Sequence, residues 1–535
     1  MAAFNEEYRF GSASFASVWD IRAAGLFENK GPQIGYVENK PIYLEGDAPM
    51  ITIGGAGSGK MRDQLAYTLC RSKGQSLLML DPRGEGAAIS MPAHAKNGEY
   101  AYLWNPPRLL GLPSHRCNPL DILKLHSPNF HGDCRFIVEA LITLSGGSEG
   151  KYFELRARDY LDAFLKYLVE RFGIVSFPML SALINIIESD LATWADHLEW
   201  MLESRFEDVR RTAGEILTKQ QDSPKEFGSI MGEMYAYLSF LNDPVLLDSL
   251  NGEDFSLEDL CNGGRTTKIF LNVPAEYLGI WSPILRLFFT VAMLYKSRVP
   301  SAPRILLIVD EAGQLGRFEA LLQSFTYGRG AGIRAWAIFQ DAGQIIRNFD
   351  AQALQSFLGS AQLRQFFGVR DYQTAQLISD MLGTETLSYD NTLQQEQARR
   401  KKLEAVQKFI SGGDPFSSAF DVSHFDQSSK IKTKQARKLK TPDEILSLPE
   451  DQQILFISGK NLKPIMANKY PYYTRSEMAG LYLPNPYHQP NDKVQIVGRF
   501  GNRWMRVITE AVPSQFSTFP QYNSGYWSYV EGYKP

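Results

Sequence analysis

Cysteine is scarce in this chain, with four in 535 residues, Cys70, Cys117, Cys134 and Cys261, and no Cys-x-x-Cys pair among them. That spacing excludes a disulfide framework and a structural zinc site and fits a reducing cytoplasm. Histidine is thin as well: His126 and His131 lie close in sequence but have no acidic or cysteine company, so a solvated surface is expected there rather than a metal. No charge of one sign dominates, since 56 Lys and Arg face 59 Asp and Glu for a net charge of −3. A protein basic all over is therefore excluded, although a locally basic pore is not. The N-terminal segment shows no charged-then-apolar leader, so secretion is not expected. The longest apolar run, Tyr277 to Tyr295, contains Pro283 and Arg286 and follows the strand-like Ile269 to Val273, which predicts a buried helix rather than a membrane span. No internal repeat is present.

What is present begins with Gly54-Gly55-Ala56-Gly57-Ser58-Gly59-Lys60-Met61, entered from the apolar Met50 to Ile53 and followed by the helix-compatible Arg62 to Arg71. Glycines let backbone N–H groups turn toward a polyphosphate, Lys60 reaches its terminal phosphates, and the helix dipole adds positive potential. One position is off pattern, because Met61, a soft thioether, stands where a hydroxyl would ordinarily hold Mg²⁺. The second element is Arg304 to Glu311, an apolar strand ending in two acids. There Asp310 is expected to carry Mg²⁺, directly or through water, and Glu311 to orient and deprotonate a water. A tight strand-to-helix turn explains the loop alone, and helix capping explains the acids alone. Both motifs together, each behind a buried strand, predict an ATP site.

At 535 residues the chain exceeds a single core, so two or three domains are expected. Unalternated apolar runs at Met50–Ile53, Ser76–Leu80, Tyr100–Trp104, Lys268–Val273, Ile305–Val309, Ala335–Phe339, Leu363–Gly368 and Gln453–Ile457, separated by helical patterns, predict an α/β parallel sheet covered on both faces. Strand patterns stop over residues 125–258, where helical periodicities predict an inserted all-α domain. The expected organisation is a nucleotide-binding domain in two parts, 1–124 and 259–480, the insert 125–258, and an aromatic-rich tail, 481–535. Within the second part, 388–440 reads as a polar, partly mobile excursion with basic clusters at Arg399 to Lys402 and Lys430 to Lys440 flanking Gly412-Gly413-Asp414-Pro415. The tail can dock on the chain's own body or on a partner, and composition does not choose.

The words around these motifs resemble the coupling proteins of type IV secretion and conjugation. They include Phe10-Gly11-Ser12-Ala13, Leu80-Asp81-Pro82-Arg83-Gly84-Glu85, Cys117-Asn118-Pro119-Leu120-Asp121, Tyr152-Phe153-Glu154 with Arg156-Ala157-Arg158, Asp310 to Gly316, Gly330 through Gln340, Leu439 to Ile445, and Pro471-Tyr472-Tyr473. Their joint order, nearly end to end, is the specific signal. The resemblance implies a RecA-like P-loop core and a homo-oligomeric, usually hexameric ring. It also implies recruitment of relaxase-bound DNA or protein and delivery to secretion channel components. Such proteins usually begin with two membrane helices, whereas this chain begins where those would finish, so the expectation is a cytoplasmic form without its own span, peripheral at the inner membrane through partners.

For such a ring, Arg329, Arg334 or Arg370 is expected to supply positive charge to the phosphoryl group from an adjoining subunit, and Gln340 to sense the terminal phosphate. Lys430, Lys432, Lys434, Arg437 and Lys438 are candidates for DNA phosphates, against the simpler reading of a solvated charge run. Two alternatives remain: a nucleotide-binding recruitment scaffold with little turnover, because of Met61, and a related DNA pump outside secretion.

Overall fold

The computed structural model describes residues 9–144, 150–389, 392–411, 424, 433–498 and 501–535. Its strands, in chain order, are β1 (Gln33–Val37), β2 (Lys40–Tyr43), β3 (Met50–Gly54), β4 (Leu77–Pro82), β5 (Tyr100–Trp104), β6 (Thr267–Val273), β7 (Ile305–Val309), β8 (Ile333–Phe339), β9 (Leu363–Phe367), β10 (Thr384–Tyr389), β11 (Thr433–Lys438), β12 (Gln452–Ile457), β13 (Ile465–Asn468), β14 (Lys493–Gly498), β15 (Gly501–Ala511) and β16 (Tyr526–Val530). Contacts divide the chain into two units, one of residues 18–368, 449–462 and 466–535, and one of residues 1–17, 369–448 and 463–465.

The larger unit is built on an eleven-stranded sheet in the order β2-β1-β13-β12-β9-β3-β8-β7-β4-β6-β5. From β9 to β5 every pairing is parallel, whereas β12 joins β9 antiparallel. Each residue of β3, β7 and β8 is buried, as a sheet covered on both faces requires. All eight apolar runs singled out in the sequence are strands, within two residues at either end. Strands β1, β2 and β13, at the β2 end of the sheet, escaped that reading because they are short, Gly35 and Pro41 interrupt the first two, and Asn468 closes the third after three residues.

Among the described residues the segment between β5 and β6 carries no strand. Its longer helices are Phe130–Leu141, Lys151–Phe172, Phe177–Ser189, Leu191–Leu202, Glu207–Asp222 and Pro224–Tyr237. The run proposed as a buried helix is one: Ser282–Arg298 starts with Pro283 in its first turn and buries Phe288, Phe289 and Val291 completely. Among the described residues no single helix is long and apolar enough to cross a membrane.

The tail docks on its own unit. Strands β14, β15 and β16 form an antiparallel sheet, and Tyr522, Trp527 and Tyr529 bury their rings against Ala95. Gln521 accepts the Ala101 N–H at 2.9 Å, covering the edge of β5 that a parallel sheet would otherwise leave open.

In the smaller unit β10 and β11 pair antiparallel, and the helix Thr392–Ile410 occupies much of the stretch expected to be a partly mobile excursion. Arg437 pairs with Glu385 at 3.5 Å and with Glu444, and Lys438 with Asp380 at 2.9 Å, so two of the cations considered for DNA are engaged within the unit. Gly412-Gly413-Asp414-Pro415, Lys430 and Lys432 lie outside the described residues.

Candidate nucleotide site

Parallel strands open all their C-terminal ends on one edge, and loops leaving there form the usual crevice of an open α/β sheet. Because β8 lies between β3 and β7, and β4 follows β7, four loops converge: Gly54–Lys60, Gln340, Asp310–Glu311 and Asp81–Glu85. In the first of them Gly59 adopts φ +82°, and a Cβ there would lie 2.4 Å from Asp63 Oδ2. No side chain fits at that point. The chain then winds as a π-helix over Met61–Leu65 before becoming α-helical at Ala66–Arg71, with Asp63 N–H donating to Gly59 O at 2.7 Å.

Lys60 Nζ donates to Glu311 Oε1 at 2.9 Å, and Gln340 Nε2 donates to Glu311 Oε2 at 2.7 Å. Both carboxylate oxygens are thus occupied by groups from two other loops. Glu311 itself sits in the left-handed region at φ +55°, ψ +41°, a conformation costing about 1 kcal/mol or more in a non-glycine residue and concentrated at functional sites. Asp310 is 7% exposed, and burial, reinforced by the Glu311 charge, pushes its carboxyl up to about 7. Fully buried Asp81 is likewise raised to about 7 by burial, while it accepts the Gly86 and Ala87 N–H groups at 3.1 and 2.7 Å.

The remaining candidates separate clearly. Arg334 is withdrawn as a group acting on another subunit: it is 3% exposed, donates to Ala48 O at 3.2 Å and Leu44 O at 3.3 Å, and burial lowers it to about 10. Arg329 is open to solvent, with its side chain 68% exposed and an ion pair to Asp47 at 2.8 Å. Arg370 is exposed and belongs to the smaller unit. Met61 is buried, its methyl 3.1 Å from where a Cβ on Gly86 would stand.

One group went unnoticed in the sequence. Lys469 Nζ donates to Ser58 O and to Asp63 Oδ2, both at 2.8 Å, with both side chains of the pair 1% exposed. It ties the phosphate loop to the helix that follows. The only sequence signal was a cation closing the alternating run Ile465-Met466-Ala467-Asn468-Lys469.

The residues fit a magnesium nucleotide. Ser58 Oγ is buried without a protein partner, Lys60 can exchange the Glu311 carboxylate for phosphate while it also donates to Gly54 O at 3.4 Å, and Asp310 offers hard oxygens. Mg²⁺ takes one or two carboxylates plus phosphates and water, so Asp310 is the protein oxygen donor it would use here. A testable sign follows from Asp310. Its folded-state value lies above the ordinary 3.8, so the folded chain holds a proton that the unfolded chain releases, and nucleotide-free stability falls as pH rises from about 4 to 7. Asp310→Asn should therefore stabilise the nucleotide-free protein at pH 8 by on the order of 4 kcal/mol and change little at pH 4. Denaturant titrations at both pH values measure this, and equal effects would refute it.

The family described as Type IV secretory system Conjugative DNA transfer matches residues 14–495. Protein VirD4 of Rhizobium radiobacter is 24% identical over 513 residues, covering 91% of this chain and 68% of the relative. Conjugal transfer protein TraG of Escherichia coli is 21% identical over 549 residues, covering 92% and 81%. Among solved structures, the bacterial conjugative coupling protein TrwBdeltaN70 in complex with sulphate superimposes with a TM-score of 0.59 at 16% identity, covering 88% of this chain and 96% of that one. Plasmid coupling protein TrwB in complex with ADP and Mg²⁺ gives 0.58 at 15% identity, covering 86% and 94%. At such identities the likeness shows a shared α/β fold.

Proposed function

This chain belongs to the type IV secretory system conjugative DNA transfer family, and from that premise we propose that it is an ATP-driven coupling protein. It would recruit relaxase-bound DNA, or protein, and feed it to a secretion channel. The observation that carries the ATPase reading is the clamp on Glu311 by Lys60 and Gln340 at the mouth of the glycine loop.

Backbone N–H groups of the Gly55 to Gly59 loop cradle the phosphate oxygens, and Lys60 exchanges Glu311 for the terminal phosphates. Released on one oxygen and still held by Gln340 on the other, Glu311 accepts a hydrogen bond from the attacking water and draws its proton. Gln340, tethered to the same carboxylate, reports whether the terminal phosphate is present. Asp310, directly or through water, would hold magnesium, whose charge would offset that of the phosphates. Met61 contributes no oxygen, which favours the slower, scaffold-like alternative; measured turnover decides between the two.

In a ring of subunits the two accessible arginines, Arg329 and Arg370, are the candidates to complete a neighbour's site, Arg329 by exchanging Asp47 for phosphate. Residues 125–258 would act as the lever and 1–124 with 259–480 as the motor, in a cytoplasmic protein held at the inner membrane by its partners. Purified protein should hydrolyse ATP with Mg²⁺, and Lys60→Ala should abolish it. Arg329→Ala should lower the rate by ~10³-fold or more while sparing nucleotide binding. Stimulation by single-stranded DNA that fades as salt rises would support a nucleic-acid cargo. An unchanged rate in Lys60→Ala would end the motor reading.

A further inference from the structure

Beside the glycine loop lies a cavity of about 370 Å³ whose walls come from three separate parts of the larger unit. Arg62 belongs to the helix that follows the loop, Glu85 to the helix after β4, and Tyr473, Tyr482, Lys493 and Trp504 to the chain beyond β13. The floor is rigid. Tyr472 and Tyr482 meet edge to face at 4.8 Å, and both are nearly fully buried. The tail is fastened over the opening, since Asn485 Nδ2 donates to Glu85 Oε1 at 2.5 Å and Tyr487 Oη to Arg83 O at 2.9 Å. Trp504 remains 56% exposed, opposite Gln495 in the β14–β15 ladder, and Lys493 Nζ lies 5.6 Å from its ring centre.

Aromatic faces and cations around a space of this size are what a nucleobase and its sugar require. The position matters as much as the composition. Lys60, Glu311 and Gln340 mark the terminal-phosphate end of the cradle, and the chain passes from Lys60 through buried Met61 to Arg62, which lines the cavity. A triphosphate anchored at the first end therefore directs its nucleoside toward the second.

We propose that this cavity is the nucleoside subsite of the bound triphosphate, and that the C-terminal sheet, through Trp504 and Lys493, is part of the nucleotide site rather than a separate appendage. The inference rests on the ATP reading above. Trp504 lies beyond the residues matched by the family, 14–495, and Lys493 just within them. The subsite also gives the tail a consequence: nucleotide occupancy acts directly on the β14–β15–β16 sheet.

The test is calorimetric titration of the full chain, unmodified and as Trp504→Ala and Lys493→Ala, with Mg-ATP and with inorganic tripolyphosphate, which has no base. Loss of one stacking face should weaken ATP by about ten-fold and leave tripolyphosphate unchanged. The tripolyphosphate arm also verifies that each variant is folded. Equal ATP affinity in all three proteins would overturn the subsite while leaving the nucleotide reading intact. Parallel loss of both ligands would overturn it too, because the tail would then support the cradle and read no base. If a thymidine oligonucleotide binds through Trp504 while ATP is indifferent to it, the cavity serves a nucleic-acid strand and the proposal fails. Failure of the unmodified chain to bind either ligand would instead bring down the ATP reading itself.

Discussion

Glu311→Gln should lower ATP turnover by about 10²- to 10⁴-fold, the range a positioned general base contributes. Nucleotide affinity should hold or rise. The reason is the clamp: Glu311 Oε1 holds Lys60 at 2.9 Å, and an incoming phosphate must take that ammonium from a carboxylate. A neutral amide competes less well for Lys60, so the phosphate meets less opposition, while the lost carboxylate can no longer draw a proton from water. Gln340 retains an oxygen to bond, so the loop geometry survives. Lys60→Ala gives the contrasting pattern, with binding and turnover lost together. Single-turnover hydrolysis beside equilibrium binding separates the two variants, and Glu311→Gln turning over at the unmodified rate would remove Glu311 from the chemistry.

Lys469→Met should cost about 3–5 kcal/mol of stability, the usual consequence of removing one partner of a buried ion pair. Asp63 would keep only Arg62, at 2.6 Å and itself 43% exposed, against the desolvation that Lys469 now offsets from inside. Ser58 O would lose its donor as well, so the glycine loop should loosen and the Michaelis constant for ATP should rise. Replacing Asp63 by Asn in the same chain removes the stranded charge and should recover part of the stability without recovering the Michaelis constant. Chemical denaturation of the two variants tests this. No loss in Lys469→Met would show that the pair is not holding the loop.

The glycine run and the pair of acids were legible because they are local. A glycine run behind an apolar strand, and two acids behind another, follow from what phosphate and magnesium need from consecutive residues. The parallel sheet was legible for a related reason: strands buried on both faces must be apolar without alternation, as β3, β7 and β8 are. The arginines were not separable in sequence. Arg329 and Arg334 stand five positions apart with the same charge, and only the carbonyls of Leu44 and Ala48 distinguish the buried one from the open one.

Taken alone, the amino-acid order determined the class of fold, the cradle and its acids, and the helical stretch between β5 and β6, since each is written in neighbouring residues and in their periodicity. Tertiary structure alone decided that Lys469 braces the glycine loop 411 positions away along the chain, at Ser58, and that the aromatic tail returns to Glu85 and Ala101. Contacts over such separations leave no local pattern, because the residues that make them are selected by where the sheet brings them and not by what lies beside them in sequence.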